Sequence, residues 1–297
     1  MGSLPQSREG HVTFSTPDGL VMVCGGYTSS TYHASCLRYN LEEETWTQHS
    51  NLSKARTGAA VVTLAGGVYV MGGDNRIEYY DTTEFLAVGS SLWTPGPQLP
   101  GGSMTGACAV PLTDHSFLLI SAYAVVEYSS LTAVWTSWPP PLVARSGQAC
   151  HKVDSTVLVA GGFVQGGVGV TNLTVIIDLV TKQVRKGGDM ATARWNFGMF
   201  EVGFRGRSVL LTFGNYGPDQ EDGLASAEAS LLQEWNREGE RWIPSPGVID
   251  PRDSFAAATV EARLVCKPGE IERCAMSQLF SSRRLDPPIW KPPQLLH

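Results

Sequence analysis

A pair of glycines closes an apolar run three times in this chain, at Gly25-Gly26, Gly72-Gly73 and Gly161-Gly162, and each time the same succession of features starts again. Self-similarity at a fixed period restricts a chain to architectures built from one supersecondary unit, because a single unit cannot bury its apolar face and needs stacked neighbours to do so. Around the first pair, Arg8 leads through LVMVCGG to Tyr39 and Trp46; around the second, Arg56 leads through VYVMGG to Tyr79, Tyr80 and Trp93. Arg8 precedes Gly25 by 17 positions and Arg56 precedes Gly72 by 16, while Gly26 precedes Trp46 by 20 and Gly73 precedes Trp93 by 20. Two independent intervals that agree define a frame: an arginine, a strand of small residues, a strand ending in Gly-Gly, a strand carrying Tyr, and a strand opening on Trp.

The frame continues with decay. The third unit holds MTGACAV, FLLISAY, VVEYSS and Trp135 in order, with Ser121-Ala122 where the glycine pair is expected. The fourth opens at Arg145 with RSGQAC, runs through VLVAGG, has Ile176 and Ile177 in the tyrosine strand, and puts Val184 where Trp belongs. Arg194 opens the fifth, followed by VLLTFGNYG, SLLQEWN and Trp242; Arg252 opens a sixth, of which FAAATV and RLVC survive. The prediction is an all-β domain over residues 4–266 with five full four-stranded units and part of a sixth, then an irregular Pro-rich tail over 267–297, since proline cannot donate to a strand ladder. Leu4-Pro5 ahead of Arg8 reads like the close of a preceding unit, so two or three strands are expected upstream of this chain.

The Gly-Gly pairs, the spaced Tyr and Trp, and the starts Arg8-Glu9-Gly10 and Arg145-Ser146-Gly147 resemble the kelch repeat, over roughly residues 4–266. The resemblance implies a kelch-type β-propeller of four-stranded blades around a channel, here a stand-alone, truncated kelch domain without a BTB domain. It also implies a non-enzymatic module that binds a protein or peptide. In kelch propellers that bind peptides, arginines at this repeat position meet acidic segments of the partner. Carried over, Arg8, Arg56, Arg145, Arg194 and Arg252 become a ring near one channel mouth, led by Arg56 and Arg145, with Met104 leaving a gap. Guanidinium groups suit that role because they bind carboxylates in bidentate fashion; the competing reading pairs each arginine with a neighbouring blade. The loops YTSSTYHAS, with Tyr27 and Tyr32, and NYGPDQEDG, with Asn215 and Tyr216, fall on the same face and offer partner contacts.

Composition agrees and excludes several classes. Apolar residues make up 42% and charged residues 17%, with 32 glycines, which favours strands and turns over long helices. No run of about 18 apolar residues is present, so no membrane-spanning helix is expected. A net charge of −6 without a basic stripe argues against nucleic acid as a partner. The six histidines are scattered, none at a metal-binding spacing, and no cofactor is implied. Cys108 and Cys150 follow their motif glycines closely and read as small core fillers rather than nucleophiles.

Compartment stays open between cytoplasmic and secreted. Cys24 and Cys36 face each other across a hairpin and Cys266 and Cys274 bracket a short loop, so both pairs are candidate disulfides; Asn51 and Asn172 open N-glycosylation triplets. The opening MGSLPQSREGH, however, lacks the apolar stretch of a signal peptide. Two alternatives to the binding module stand: the resemblance also allows a propeller enzyme of the galactose-oxidase or sugar-epimerase kind, for which no ligand set can be matched, and an extracellular adhesive or structural protein would be distinguished by glycosylation at Asn51 and intact disulfides.

Overall fold

A computed structural model of the chain describes residues 4–248, apart from 30, 41, 167–168, 205–206 and 214–230. Arg252, Cys266, Cys274, Asn215, Tyr216, the sixth unit and the tail lie outside the described residues. Every regular element among those described is a strand, and no helix there is long and apolar enough to cross a membrane.

Five antiparallel four-stranded sheets follow one another along the chain, as the kelch-type repeat frame requires. The first blade comprises Val12–Ser15, Val21–Cys24, Cys36–Asn40 and Thr45–His49. The second comprises Ala60–Leu64, Gly67–Met71, Thr83–Ala87 and Trp93–Pro95. The third runs through Cys108–Thr113, Ser116–Ile120, Val125–Ser129 and Val134–Ser137. The fourth uses Ala149–Val153, Thr156–Ala160, Thr174–Asp178 and Val184–Lys186, and the fifth Gly198–Phe204, Arg207–Phe213, Leu231–Asn236 and Arg241–Val248. First strands of successive blades lie side by side, so the sheets radiate from a common axis. This arrangement leaves only short, protected strand edges.

The second strands of the second and third blades are covered on both faces because a neighbouring blade lies on each side: Gly67–Met71 and Ser116–Ile120 are buried at every position. The core sits between blades. Tyr69 of the second blade packs at 5.4 Å from Phe117 and 5.9 Å from Tyr128 of the third, and Trp135 closes on Tyr128 at 4.9 Å. The repeated Tyr and Trp therefore meet within a blade, as Tyr39 and Trp46 do at 5.0 Å, and fill the wedge towards the next. Trp242 reaches back to the fourth blade, its Nε1–H donating to Thr174 Oγ1 at 2.9 Å.

The glycine pair has a steric reason. Gly25 (φ 70°) and Gly72 (φ 65°) are left-handed, and a Cβ on either would collide with a carbonyl oxygen of the next blade, that of Arg56 or Met104. Each following glycine donates its N–H to that same carbonyl: Gly26 to Arg56 and Gly73 to Met104, both at 2.8 Å. In the third blade Ser121 replaces the first glycine and closes the turn with its side chain, Oγ donating to the Ala124 carbonyl at 3.1 Å.

Two disulfides cross the described fold. Cys24 and Cys36 occupy directly opposed positions on the second and third strands of the first blade, bracketed by the Gly25 N–H to Ser35 carbonyl bond at 3.1 Å, with Cα atoms 4.1 Å apart. This is the closer, non-hydrogen-bonded kind of antiparallel pair. Cys108 and Cys150 join the first strands of the third and fourth blades, Cα atoms 5.9 Å apart. The reading of these two as core fillers is thereby corrected: they are a staple between blades, brought together because adjacent innermost strands run side by side.

Candidate functional site

Each unit begins with the same three-residue turn, Arg8-Glu9-Gly10, Arg56-Thr57-Gly58, Met104-Thr105-Gly106, Arg145-Ser146-Gly147 and Arg194-Trp195-Asn196. The third residue is left-handed every time, at φ 61°, 61°, 65°, 65° and 51°. Those five residues are linked by backbone hydrogen bonds from blade to blade: Gly58 N–H to Gly10 at 3.0 Å, Gly106 to Gly58 at 2.9 Å, Gly147 to Gly106 at 2.8 Å and Asn196 to Gly147 at 2.9 Å. The turns thus form a continuous arc round one end of the channel. Asparagine takes the fifth place because it tolerates this backbone region better than other side chains.

The turn sends its first and middle residues in different directions. Arg8, Arg56, Arg145 and Arg194 are 3%, 1%, 2% and 0% exposed, and the first three run into their own blades. Arg8 Nη1 donates to the carbonyls of Gly25 and Ser35, both at 3.1 Å. Arg56 Nη1 donates to Gly72 at 2.7 Å and Thr82 at 3.2 Å, and its Nη2 meets Glu84 Oε1 at 2.9 Å. Arg145 donates to Leu173 at 2.7 Å and Val159 at 2.9 Å. The carbonyls exposed by the chain reversal at the glycine pair need a donor there, and arginine supplies several from a fixed planar fork. Burial holds the Arg8 and Arg56 guanidinium pKa values below their usual range and brings Arg145 down to about 10. The expected ring of accessible arginines is therefore corrected for these four, all of which are buried; Arg8, Arg56 and Arg145 are spent on their own blades' backbone. Met104, at the gap in the series, is likewise buried.

What faces the mouth is the middle residue of each turn. Glu9, Thr57, Thr105, Ser146 and Trp195 line a cavity of about 470 Å³, together with Asp74 from the loop after the second glycine pair. Glu9 and Asp74 are its charged residues, and no lysine or arginine lines it among the described residues. Two-way backbone bonds hold the rim to this arc, Glu9 with Tyr27 at 2.9 Å in both directions, Thr57 with Asp74 at 2.8 and 3.0 Å. Tyr27 donates its hydroxyl to Glu9 Oε2 at 2.8 Å and stacks on Tyr32 at 5.6 Å, so both predicted tyrosines stand on this rim, half-buried. Beyond them, Ile77, Tyr79, Tyr123 and Phe163 are exposed at the same end, 92%, 63%, 70% and 41%. Phe163 pairs through its backbone with Ser146 and packs on Trp195 at 5.7 Å, while Tyr123 donates its hydroxyl to Gln165.

Below the rim, His11 is buried with Nδ1 3.0 Å from the Arg8 carbonyl. Burial first, then the Arg8 charge, lowers its pKa to about 4. The imidazole is neutral near pH 7, and because a carbonyl only accepts, Nδ1 carries the hydrogen. Gln148, also buried, donates its side-chain N–H to the Ile120 carbonyl at 3.1 Å.

The middle positions and Asp74 were missed from sequence, although the repeat frame already aligned the former between Arg and Gly. Of the glycosylation candidates, Asn51 is exposed, whereas Asn172 is half-buried with its Nδ2 donating to the Met190 carbonyl at 2.8 Å. Among the described residues no three His, Cys, Asp or Glu side chains come close enough to hold a metal ion.

The sequence profile described as Kelch motif matches residues 10–53, which is the first blade. Human Kelch-like protein 33 is 32% identical over 116 residues, 37% of this chain and 22% of that protein. Kelch-like protein terF of Aspergillus terreus is 22% identical over 257 residues, 79% of this chain and 54% of the relative. Kelch repeat protein M-T8 of Myxoma virus is 28% identical over 96 residues, covering 32% and 19%. The matched stretches thus span about half or less of these relatives' own length.

Proposed function

We propose, from the premise that this chain belongs to the kelch-repeat family, that it is a non-enzymatic protein-binding module whose partner docks on the face carrying the Arg-x-Gly turns and the loops after the glycine pairs. The observation that carries this reading is the distribution of exposed aromatic side chains. Among the described residues the exposed large apolar side chains include Val88, Leu92, Leu131, Val134 and Val180 in the outer strands and opposite turns, all aliphatic and scattered. The exposed aromatics, Tyr79, Tyr123 and Phe163, all stand round the mouth with half-buried Tyr27, Tyr32 and Trp195. Scattered aliphatics are ordinary surface, whereas clustered Tyr, Trp and Phe round a concavity are the composition of binding hot spots.

The rim is carried by loops on a rigid arc of backbone hydrogen bonds, which favours recognition by positioned side chains over a lid or switch. The proposal that the partner segment is acidic loses its support with the burial of Arg8, Arg56, Arg145 and Arg194. The test is selection of heptapeptides from a random display library on the full chain, followed by titration of those enriched. Tyr123→Ala should weaken binding of the selected peptides by about tenfold, as removal of a hot-spot aromatic does, while Leu131→Ala at the opposite end should leave it unchanged. Equal effects from the two substitutions, or none from Tyr123→Ala, would sink the reading.

A further inference from the structure

One junction between blades differs from its neighbours. Each blade turns a directly opposed pair of its second and third strands towards the Tyr and Trp positions of the next blade. That pair is Met22 and Arg38 in the first blade, Leu118 and Glu127 in the third, and Leu158 and Ile176 in the fourth. In the second blade it is Tyr69 and Phe85, with ring centroids 4.5 Å apart, and it faces Tyr128 and Trp135 of the third. Among the described residues this is therefore the junction with aromatic rings on both walls. The walls part towards the outer strands into a cleft of about 530 Å³, edged by Pro95 and Pro97. Tyr69 and Tyr128 line it, and neither hydroxyl has a hydrogen-bond partner or is sealed from solvent. Burial holds both phenol pKa values above their usual range, so each hydroxyl keeps its proton and is able to donate. Trp135 offers only its ring, because its Nε1 is enclosed.

An aromatic cleft with hydroxyl donors suits a polyproline II segment, whose rings pack on aromatic faces and whose backbone carbonyls have no internal donors. The chain carries such a sequence beyond the described residues, Pro287-Pro288-Ile289-Trp290-Lys291-Pro292-Pro293. Proline fixes φ near the polyproline II value and disfavours the helical region for the residue before it. We propose that this segment docks, within the same chain, in the cleft between the second and third blades, with Tyr69 and Tyr128 donating to its carbonyls. The tether is long enough. Pro287 lies 39 residues beyond Val248, the last described residue, and 21 beyond Cys266, where the repeat frame ends its sixth unit. At about 3.3 Å per residue even the shorter count reaches about 70 Å, against a diameter of about 45 Å for a domain of this size. Tethering also holds the segment at an effective concentration of about a millimolar, so a contact that is weak between separate molecules is occupied within one.

The experiment titrates a labelled synthetic peptide of residues 284–295 against the full chain and against the full chain carrying Pro287→Ala, Pro288→Ala, Pro292→Ala and Pro293→Ala. The four-alanine chain should bind the peptide, and the unaltered chain should bind it at least about tenfold more weakly because its own segment competes. Adding Tyr69→Phe and Tyr128→Phe to the four-alanine chain should weaken the peptide by about tenfold, since two donors are lost while both rings stay. Tyr123→Ala at the mouth should leave this binding unchanged, so the result is independent of the docking face proposed above. Equal affinity of the unaltered and four-alanine chains, no binding to the latter, or indifference to the loss of the two hydroxyls would overturn the proposal. Self-association of the unaltered chain that the four alanines abolish would overturn it as well, by assigning the cleft to the segment of a second copy.

Discussion

Replacing Arg56 by methionine, the residue the third repeat carries at the same place in Met104, separates a structural arginine from a ligand-binding one. Arg56 is 1% exposed and donates to the Gly72 and Thr82 carbonyls, to Thr82 Oγ1 at 3.3 Å and to Glu84 Oε1 at 2.9 Å. Methionine refills much of the volume but leaves Glu84, 4% exposed, without its counter-ion, although its other oxygen still accepts from the Ser53 N–H at 2.7 Å. Removing one member of a buried ion pair costs about 3–5 kcal/mol. Arg145→Met is the internal control. Arg145 donates only to the Leu173 and Val159 carbonyls in the hydrogen bonds it forms, and burial already lowers its pKa to about 10, so removing the charge also relieves a desolvation penalty. Its loss should be smaller, about 1–3 kcal/mol. Adding Glu84→Gln to Arg56→Met should recover about 2 kcal/mol, because the stranded carboxylate is then neutral. Urea unfolding followed by tryptophan fluorescence reads all four proteins. The reasoning fails if Arg56→Met unfolds no more easily than Arg145→Met, or if Glu84→Gln restores nothing in its background.

Three other outcomes follow from the same geometry. The Cys108–Cys150 crosslink closes a separation of 42 residues and the Cys24–Cys36 crosslink one of 12, so on chain-entropy grounds their removal should cost about 4 and about 3 kcal/mol respectively; calorimetry of Cys108→Ala/Cys150→Ala checks the larger, and non-reducing peptide mapping checks both pairings. His11 has its folded pKa depressed to about 4 from 6.5, so the unfolded chain binds the proton first as pH falls. Stability should therefore be constant above about pH 6.5 and fall by up to about 3 kcal/mol between there and pH 4; His33, His49 and His151, also lowered by burial, act with the same sign. A His11→Gln variant should show a shallower acid limb, and an identical limb would exclude His11 as its source. Expressed behind a secretory leader, the chain should carry a glycan on exposed Asn51 and none on Asn172, whose amide is committed to Met190, as intact mass and glycopeptide mapping would show.

Much of the fold was legible because the glycine pairs answer to a local steric demand. Gly25 and Gly72 sit against a carbonyl of the next blade, and no other residue fits, so the requirement appears in the sequence as a period. The third unit shows where legibility ends: Ser121 solves the same turn with a hydroxyl, which a search for Gly-Gly does not find. The position of the arginines at one end of the channel was readable from the frame, but their direction was not. That depends on the left-handed residue two places on, which turns the arginine into the blade and the middle residue towards the mouth. Cys108 and Cys150 could not be paired from sequence, because 42 residues separate them and only the side-by-side innermost strands bring them together.

The central claim, that a partner is held by the mouth face, is tested most directly by amide hydrogen exchange of the full chain with and without a selected heptapeptide at saturation. Added protection should fall on the segments round Asp74–Tyr79, Tyr123 and Phe163, with Val88–Leu92 and Leu131–Val134 at the opposite end unchanged. Protection concentrated on those opposite turns, with the mouth segments exchanging as in the free protein, would contradict the account.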